Sequence, residues 1–176
     1  QYGRLGDGTN TNRSNPVQVV DGSGNPLSGI TAISAGAEYT AYLKFDGTVW
    51  AVGYNGIGRL GDGTTTNRNN PVQVVDGSGN PLSGIVGISA GDSHTVFLKG
   101  DGTVLAVGTN TSGQLGDGTL SNRTTLVQVM DTGGTPLSDV AGVFAKGYHT
   151  VYLKIDGTVW ATGFNYRGQL GDGTNI

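Results

Sequence analysis

Few side chains in this sequence combine the type and spacing that chemistry needs. His94 and His149 stand 55 residues apart, and Tyr39 takes the equivalent place one step earlier. Two imidazoles brought side by side could hold a metal ion. The reading the residues favour instead has each ring bonded to backbone within its own sheet. Asp21-x-Ser23-x-Asn25 and Asp76-x-Ser78-x-Asn80 place oxygens at positions 1, 3 and 5, as a calcium loop does. The third copy, Asp131-x-Gly133-x-Thr135, loses the pattern, and no glutamate follows at the twelfth position. A turn closed by Asx-type hydrogen bonds fits these segments better. Gly56-x-Gly58-x-x-Gly61 satisfies the dinucleotide-binding pattern, but that chemistry needs a helix N-terminus after the glycines, and Asp62-Gly63-Thr64 follows. No Ser/His/Asp set is recognisable, and there is no cysteine. The sequence therefore offers no catalytic residue, no cofactor site and no metal site.

The elements that would position these residues come from a repeat. Leu-Gly-Asp-Gly-Thr occurs at Leu5, Leu60, Leu115 and Leu170, always 55 residues apart. Between residues 5–59 and 60–114, 40 of the 55 positions are identical. Such a period means that one supersecondary unit is copied and stacked. Three units, 5–59, 60–114 and 115–169, make a single repeat domain over 1–176, with partial units at 1–4 and 170–176. The chain begins and ends in mid-unit, as a fragment or a processed product would. Asp7, Asp62, Asp117 and Asp172 occur in every copy and are assigned to building the unit.

Within the second unit, Pro71–Val75, Ile85–Ala90, Thr95–Lys99 and Thr103–Val107 read as four short strands, punctuated by Gly- and Asn-rich turns. Asp101-Gly102 predicts a two-residue type I′ hairpin, as do Asp46-Gly47 and Asp156-Gly157. Both faces of the hairpin are apolar. Ala41, Leu43, Val49 and Ala51 share one face, and Tyr42, Trp50 and Val52 the other. A sheet with two apolar faces must be sandwiched between neighbours. The predicted core is Val17, Val19, Ile33, Leu43, Val49 and Ala51, with their partners 55 and 110 residues on. The fold class is all-β, built as propeller blades, with a parallel β-solenoid as the main competitor.

Composition narrows the function classes. The net charge of −3 and scattered cations argue against nucleic-acid binding, which needs a dense basic face. No apolar run reaches the length of a membrane span. Low charge, abundant Thr and Asn, and few lysines suit an extracellular or cell-surface bacterial protein. What differs between copies is the loop after the fourth strand. It carries Tyr54, Ile57 and Arg59 in one unit, Phe164, Tyr166 and Arg167 in another, and Tyr2 and Arg4 in the same phase near the start. Tyr148 varies at a strand entry. Aromatic residues and arginine on loops dominate interface energies, so these nine residues are the candidate partner-binding set.

Ile88-Ser89-Ala90-Gly91-Asp92-Ser93-His94-Thr95, Leu98-Lys99-Gly100-Asp101-Gly102-Thr103-Val104, Ala106-Val107-Gly108-Thr109-Asn110 and Gly113-Gln114-Leu115-Gly116-Asp117-Gly118 resemble the RCC1-like repeat (regulator of chromosome condensation), in its bacterial form. The resemblance covers essentially the whole chain. It implies four-stranded blades, commonly seven to a ring, so three units make an incomplete ring. It also implies a rigid ring that binds another protein through loops, and the chain is read as such a scaffold and not as an enzyme. The rivals are a structural subunit of a surface assembly or head-to-tail filament, and a hydrolase with its site in the central channel. The expected partner is a protein, with homo-oligomerisation or a longer chain supplying what three units lack.

Overall fold

A computed structural model describes residues 2–175. Among the described residues there is no helix, and no segment that could cross a membrane as one. The strands form three antiparallel sheets. Blade 1 holds β1 (Ile30–Ala35), β2 (Tyr39–Lys44), β3 (Val49–Gly53) and β4 (Arg68–Gln73), in that order. Blade 2 repeats it with β5 (Ile85–Ala90), β6 (His94–Lys99), β7 (Val104–Gly108) and β8 (Arg123–Gln128). Blade 3 has three strands, β9 (Val140–Lys146), β10 (His149–Lys154) and β11 (Val159–Gly163).

The blade is not the sequence unit. The fourth strand of blades 1 and 2 comes from the following repeat, so β4 pairs with β3 through Trp50↔Gln73, Ala51↔Val72 and Gly53↔Arg68. The expected strand at Pro71–Val75 lies instead at Arg68–Gln73, and its first-copy counterpart, Pro16–Val20, forms no strand. A strand exists only where a neighbour completes its hydrogen bonds, and β8 has β7 while residues 13–18 have no such partner.

The hairpins turn where expected but by another geometry. Gly47 and Gly102 have φ of 78° and 79°, whereas Asp46 and Asp101 are not in the left-handed region. Gly47 N donates to Lys44 O at 3.0 Å, and Lys44 N donates to Thr48 O at 2.9 Å. This is a type I turn followed by a left-handed glycine, the three-residue hairpin loop rather than type I′. The Asp46 carboxylate fastens it by accepting from Thr48 N and Thr48 Oγ1.

The core lies between blades. One cluster joins Leu43, Val49 and Ala51 of blade 1 to Phe97 and Val107 of blade 2. The other joins Leu98, Val104 and Ala106 of blade 2 to Val143 and Tyr152 of blade 3. Most of the expected core is confirmed, with four corrections. Val17 is 38% exposed, Ile33 65%, Leu153 37% and Val159 65%. Each lies on an outer face of the three-blade stack, where no further blade covers it.

Candidate functional site

Each inter-strand loop is tied by one polar knot. In the second unit, Asp62 Oδ1 accepts from Thr64 N and Thr64 Oγ1 and from Asn55 Nδ2, while Oδ2 accepts from Arg68 Nε at 2.9 Å. The Arg68–Asp62 ion pair recurs as Arg13–Asp7 and Arg123–Asp117. Burial opposes ionisation of Asp62, but the bonds from Arg68, Thr64 and Asn55 outweigh it and hold the carboxyl below its usual range. Asn55 Oδ1 also accepts from Leu60 N, which draws Leu60 into the inter-blade core. The recurrent aspartates are structural, as expected. Sequence reasoning missed their arginine and asparagine partners, although Asn55, Asn110 and Asn165 recur at the same 55-residue interval.

The Asp21 loop uses its own carboxylate. Asp21 Oδ1 accepts from Ser23 N and Asn25 N, and Asp131 does the same for Gly133 N and Thr135 N. The Gly56–Gly61 segment is a turn that leads into the Asp62 loop, with no helix behind it.

His94 corrects the sequence expectation. Its ring bonds a neighbouring blade, not backbone within its own: Nε2 lies 2.9 Å from Thr150 Oγ1. Thr150 Oγ1 gives its hydrogen to Gln114 O at 2.8 Å, so the imidazole must donate through Nε2–H. Nδ1 is left buried and unpaired. Burial first, and the charge of His149 second, push the pKa down to about 4. One blade earlier, Tyr39 OH donates to His94 O, and Thr95 Oγ1 lies 2.9 Å from that phenol and 2.7 Å from Arg59 O. The residue type changes from Tyr to His, but in blades 1 and 2 alike the position clasps the following blade. Among the described residues, no three His, Cys, Asp or Glu side chains converge as a metal site.

The nine candidate partner-binding residues fall into two groups. In the first, Tyr2 and Tyr54 rings lie 4.9 Å apart, tilted by 50°, and the Arg59 guanidinium lies 4.6 Å from the Tyr54 ring. Ile57 is half-buried on the same loop. Arg59 is buried, and its Nη1 donates to Asp92 O at 3.2 Å. Its loop position suggests a free guanidinium; the structure spends that guanidinium between blades, as Arg4 Nη1 does in donating to Ala37 O. In the second group, Phe164 and Tyr166 stack with centroids 6.3 Å apart. Tyr148 enters β10 beside them, and its carbonyl accepts from Phe164 N. Tyr166 is 75% exposed and Tyr148 46%. Arg167 is exposed and donates its backbone N–H to Gln169 Oε1. Phe164 and Tyr166 line a groove of about 330 Å³ whose other wall is the neighbouring loop, at Thr111, Ser112 and Leu120.

Comparison with known proteins places this architecture. The regulator of chromosome condensation (RCC1) repeat matches residues 1–43 and 46–98, and a second description of the same repeat matches 30–58, 85–114 and 140–169. The chain is 30% identical over 174 residues to the ultraviolet-B receptor UVR8 of Arabidopsis thaliana, covering 97% of this chain and 37% of that protein. It is 28% identical over 173 residues to the probable E3 ubiquitin-protein ligase HERC3 of Homo sapiens, covering 98% of this chain and 16% of the relative. Among solved structures, human WBSCR16 superposes with a TM-score of 0.66 at 18% identity, over 77% of this chain and 33% of that one. Yeast RCC1 (Prp20), solved bound to Kap60, superposes with a TM-score of 0.64 at 22% identity, over 81% and 33%. The chain thus spans well under half the length of these relatives. With the repeat matched in all three units and the blades superposed on solved propellers, this chain belongs to the RCC1 repeat family.

Proposed function

We propose that the chain is a protein-binding scaffold whose contact surface is the variable loop rim, centred on Tyr148, Phe164 and Tyr166. RCC1-like propellers serve in general as protein-interaction scaffolds, and RCC1 repeat proteins are mostly binding or regulatory proteins. The observation that carries the reading is the groove between adjacent loops, with aromatic side chains left exposed around it. Large rigid rings beside an open groove contribute much contact area at little entropic cost. The polar knots beneath hold the loops in place before any partner arrives, which reduces the ordering cost of binding. The low charge of the chain fits a site outside the cell, where the partner would be another surface or secreted protein.

The test is affinity capture with the whole chain and with a Phe164→Ala/Tyr166→Ala variant. The expected result is a defined protein retained by the first and lost by the second, with unchanged circular dichroism. Equal retention by both would remove this rim from consideration.

A further inference from the structure

Blades 1 and 3 are joined to blade 2 through the same position of the repeat, filled by different residues. On the blade 1 side it is Tyr39, whose hydroxyl donates to His94 O. Burial pushes that phenol above its ordinary range, so it keeps its proton well past neutrality. Arg59 adds a second bond across the same boundary, from Nη1 to Asp92 O at 3.2 Å. On the blade 3 side the position holds His94, whose Nε2 donates to Thr150 Oγ1 at 2.9 Å. Gln114 stands at the counterpart of Arg59, and its buried Nε2 makes no hydrogen bond. The boundary between blades 2 and 3 is therefore fastened in part by a titratable clasp, and the one between blades 1 and 2 is not.

The His94 ring has no place for a second proton. A Cβ on Gly91 would stand 2.2 Å from its Cε1 and 2.5 Å from its Nδ1, and Nδ1 is buried without a partner. Nε2 already carries the hydrogen that reaches Thr150, so a further proton must go to Nδ1. There it would be a buried, charged donor with no acceptor. Around the ring, Tyr39 and Arg59 come from the blade 1 side, Asp92 from its own strand-entry turn, and Lys146 and His149 from blade 3. Of these, His149 opposes a charge on the ring, and no carboxylate among the described residues offsets it.

The groove at Phe164 and Tyr166 straddles this same boundary. Thr111, Ser112 and Leu120 lie on the loop after β7 of blade 2, and Phe164 and Tyr166 on the loop after β11 of blade 3. We infer that protonation of His94 parts blade 3 from blade 2 and takes the groove apart, so that mild acid releases the bound protein, a regulation that rests on the reading of that groove as the contact surface. A charged imidazole is solvated only if the blades separate, so acid selects the open arrangement by the difference in proton affinity between the two.

Hydrogen exchange of the whole chain, with no partner present, tests the switch. After correction for intrinsic exchange rates, amides of β9, β10 and β11 should lose protection about twentyfold between pH 7 and pH 5, the ratio for a group whose pKa is 6.5 when open and about 4 when closed. Amides of β1, β2 and β3, held through Tyr39, should not. His94→Tyr restores the residue type of blade 1 and should abolish the response, as should His94→Gln, whereas His149→Gln should leave most of it. No response in the wild type, an equal response in blade 1, a response that survives the His94 variants or one lost with His149→Gln overturns the inference. The chain has no cysteine, so Thr111→Cys/Tyr166→Cys takes spin labels at those two positions alone. Their separation should lengthen and broaden at pH 5, and a distance unchanged while β9–β11 exchange faster would cut the link between His94 and the groove. Neither measurement involves a partner, so a failure here is distinct from a failure of the contact surface, which the Phe164→Ala/Tyr166→Ala capture decides.

Discussion

Blade 2 and the outer face of blade 3 are built from nearly the same residues and have opposite fates. Val104 is fully buried, whereas its counterpart Val159 is 65% exposed. Leu98 is 5% exposed and Leu153 37%. Neither local sequence nor strand geometry differs enough to cause this, because β7 and β11 pair with their hairpin partners in the same register. What differs is the presence of a neighbour. In a stacked repeat, a side chain's contribution to stability belongs to the interface and not to the blade that carries it.

The largest effect should therefore come from one substitution made in both places. Leu98→Ala removes side-chain volume from a closed interface and should cost about 2–5 kcal/mol, through lost burial and the cavity left behind. Leu153→Ala trims a half-covered side chain and should cost under about 1 kcal/mol. Urea denaturation midpoints of the two variants measure the gap directly. Equal losses would mean that the outer face is covered in solution, and the comparison would then report assembly rather than the isolated chain.

The second contrast concerns acid. His94 is held neutral between blades 2 and 3, with its pKa pushed down to about 4 from 6.5. Between those values the unfolded chain binds a proton that the folded chain refuses. Stability is therefore complete above pH 6.5 and falls as pH drops from 6.5 towards 4. The loss should be on the order of 3 kcal/mol at the lower limit. The loop aspartates Asp7, Asp62 and Asp117, held below their usual range, titrate beneath this window. Denaturation midpoints across this range should slope for the wild type and flatten for His94→Gln. A wild-type profile without slope would show that water or a shifted Thr150 solvates the ring.

How much of this could be read from the sequence divides along the line between local and non-local contacts. The 55-residue period, the hairpins around Asp46, Asp101 and Asp156, and the Asx turns at Asp21 and Asp76 depend on residues within a few positions of one another. The blade boundary does not. Arg68–Gln73 joins the preceding hairpin because β3 offers it an edge, and nothing in those six residues names that partner. His94 was legible as a recurring position but not as a clasp, because Thr150 lies 56 residues away. The burial of Arg59 was hidden for the same reason: its acceptor, the carbonyl of Asp92, belongs to the next blade. The loop aromatics were legible as variable residues; that Phe164 and Tyr166 face a groove with Leu120 required the fold.

The smallest expected effect separates an outer face that merely lacks a neighbour from one altered against having it. Ser34 Oγ accepts from Ala90 N at 2.9 Å, and Ser89 Oγ accepts from Ala145 N at 2.8 Å, each bond joining one blade to the next. The third copy has Phe144 there, 60% exposed. Gly36 and Gly91 allow the following blade to approach; a Cβ on Gly36 would stand 2.6 Å from Gly91 O. The third copy has Lys146. Both changes lie on the outer face of blade 3. Inside the stack, one would remove a hydrogen-bond acceptor and the other would add bulk where backbones meet. On the outer face neither meets a neighbouring blade, so Phe144→Ser/Lys146→Gly should change stability by about 0.5 kcal/mol or less, read from the urea midpoint. A larger loss would mean that the Phe144 ring covers its own blade, where it lies against the place a Cβ on Gly142 would occupy.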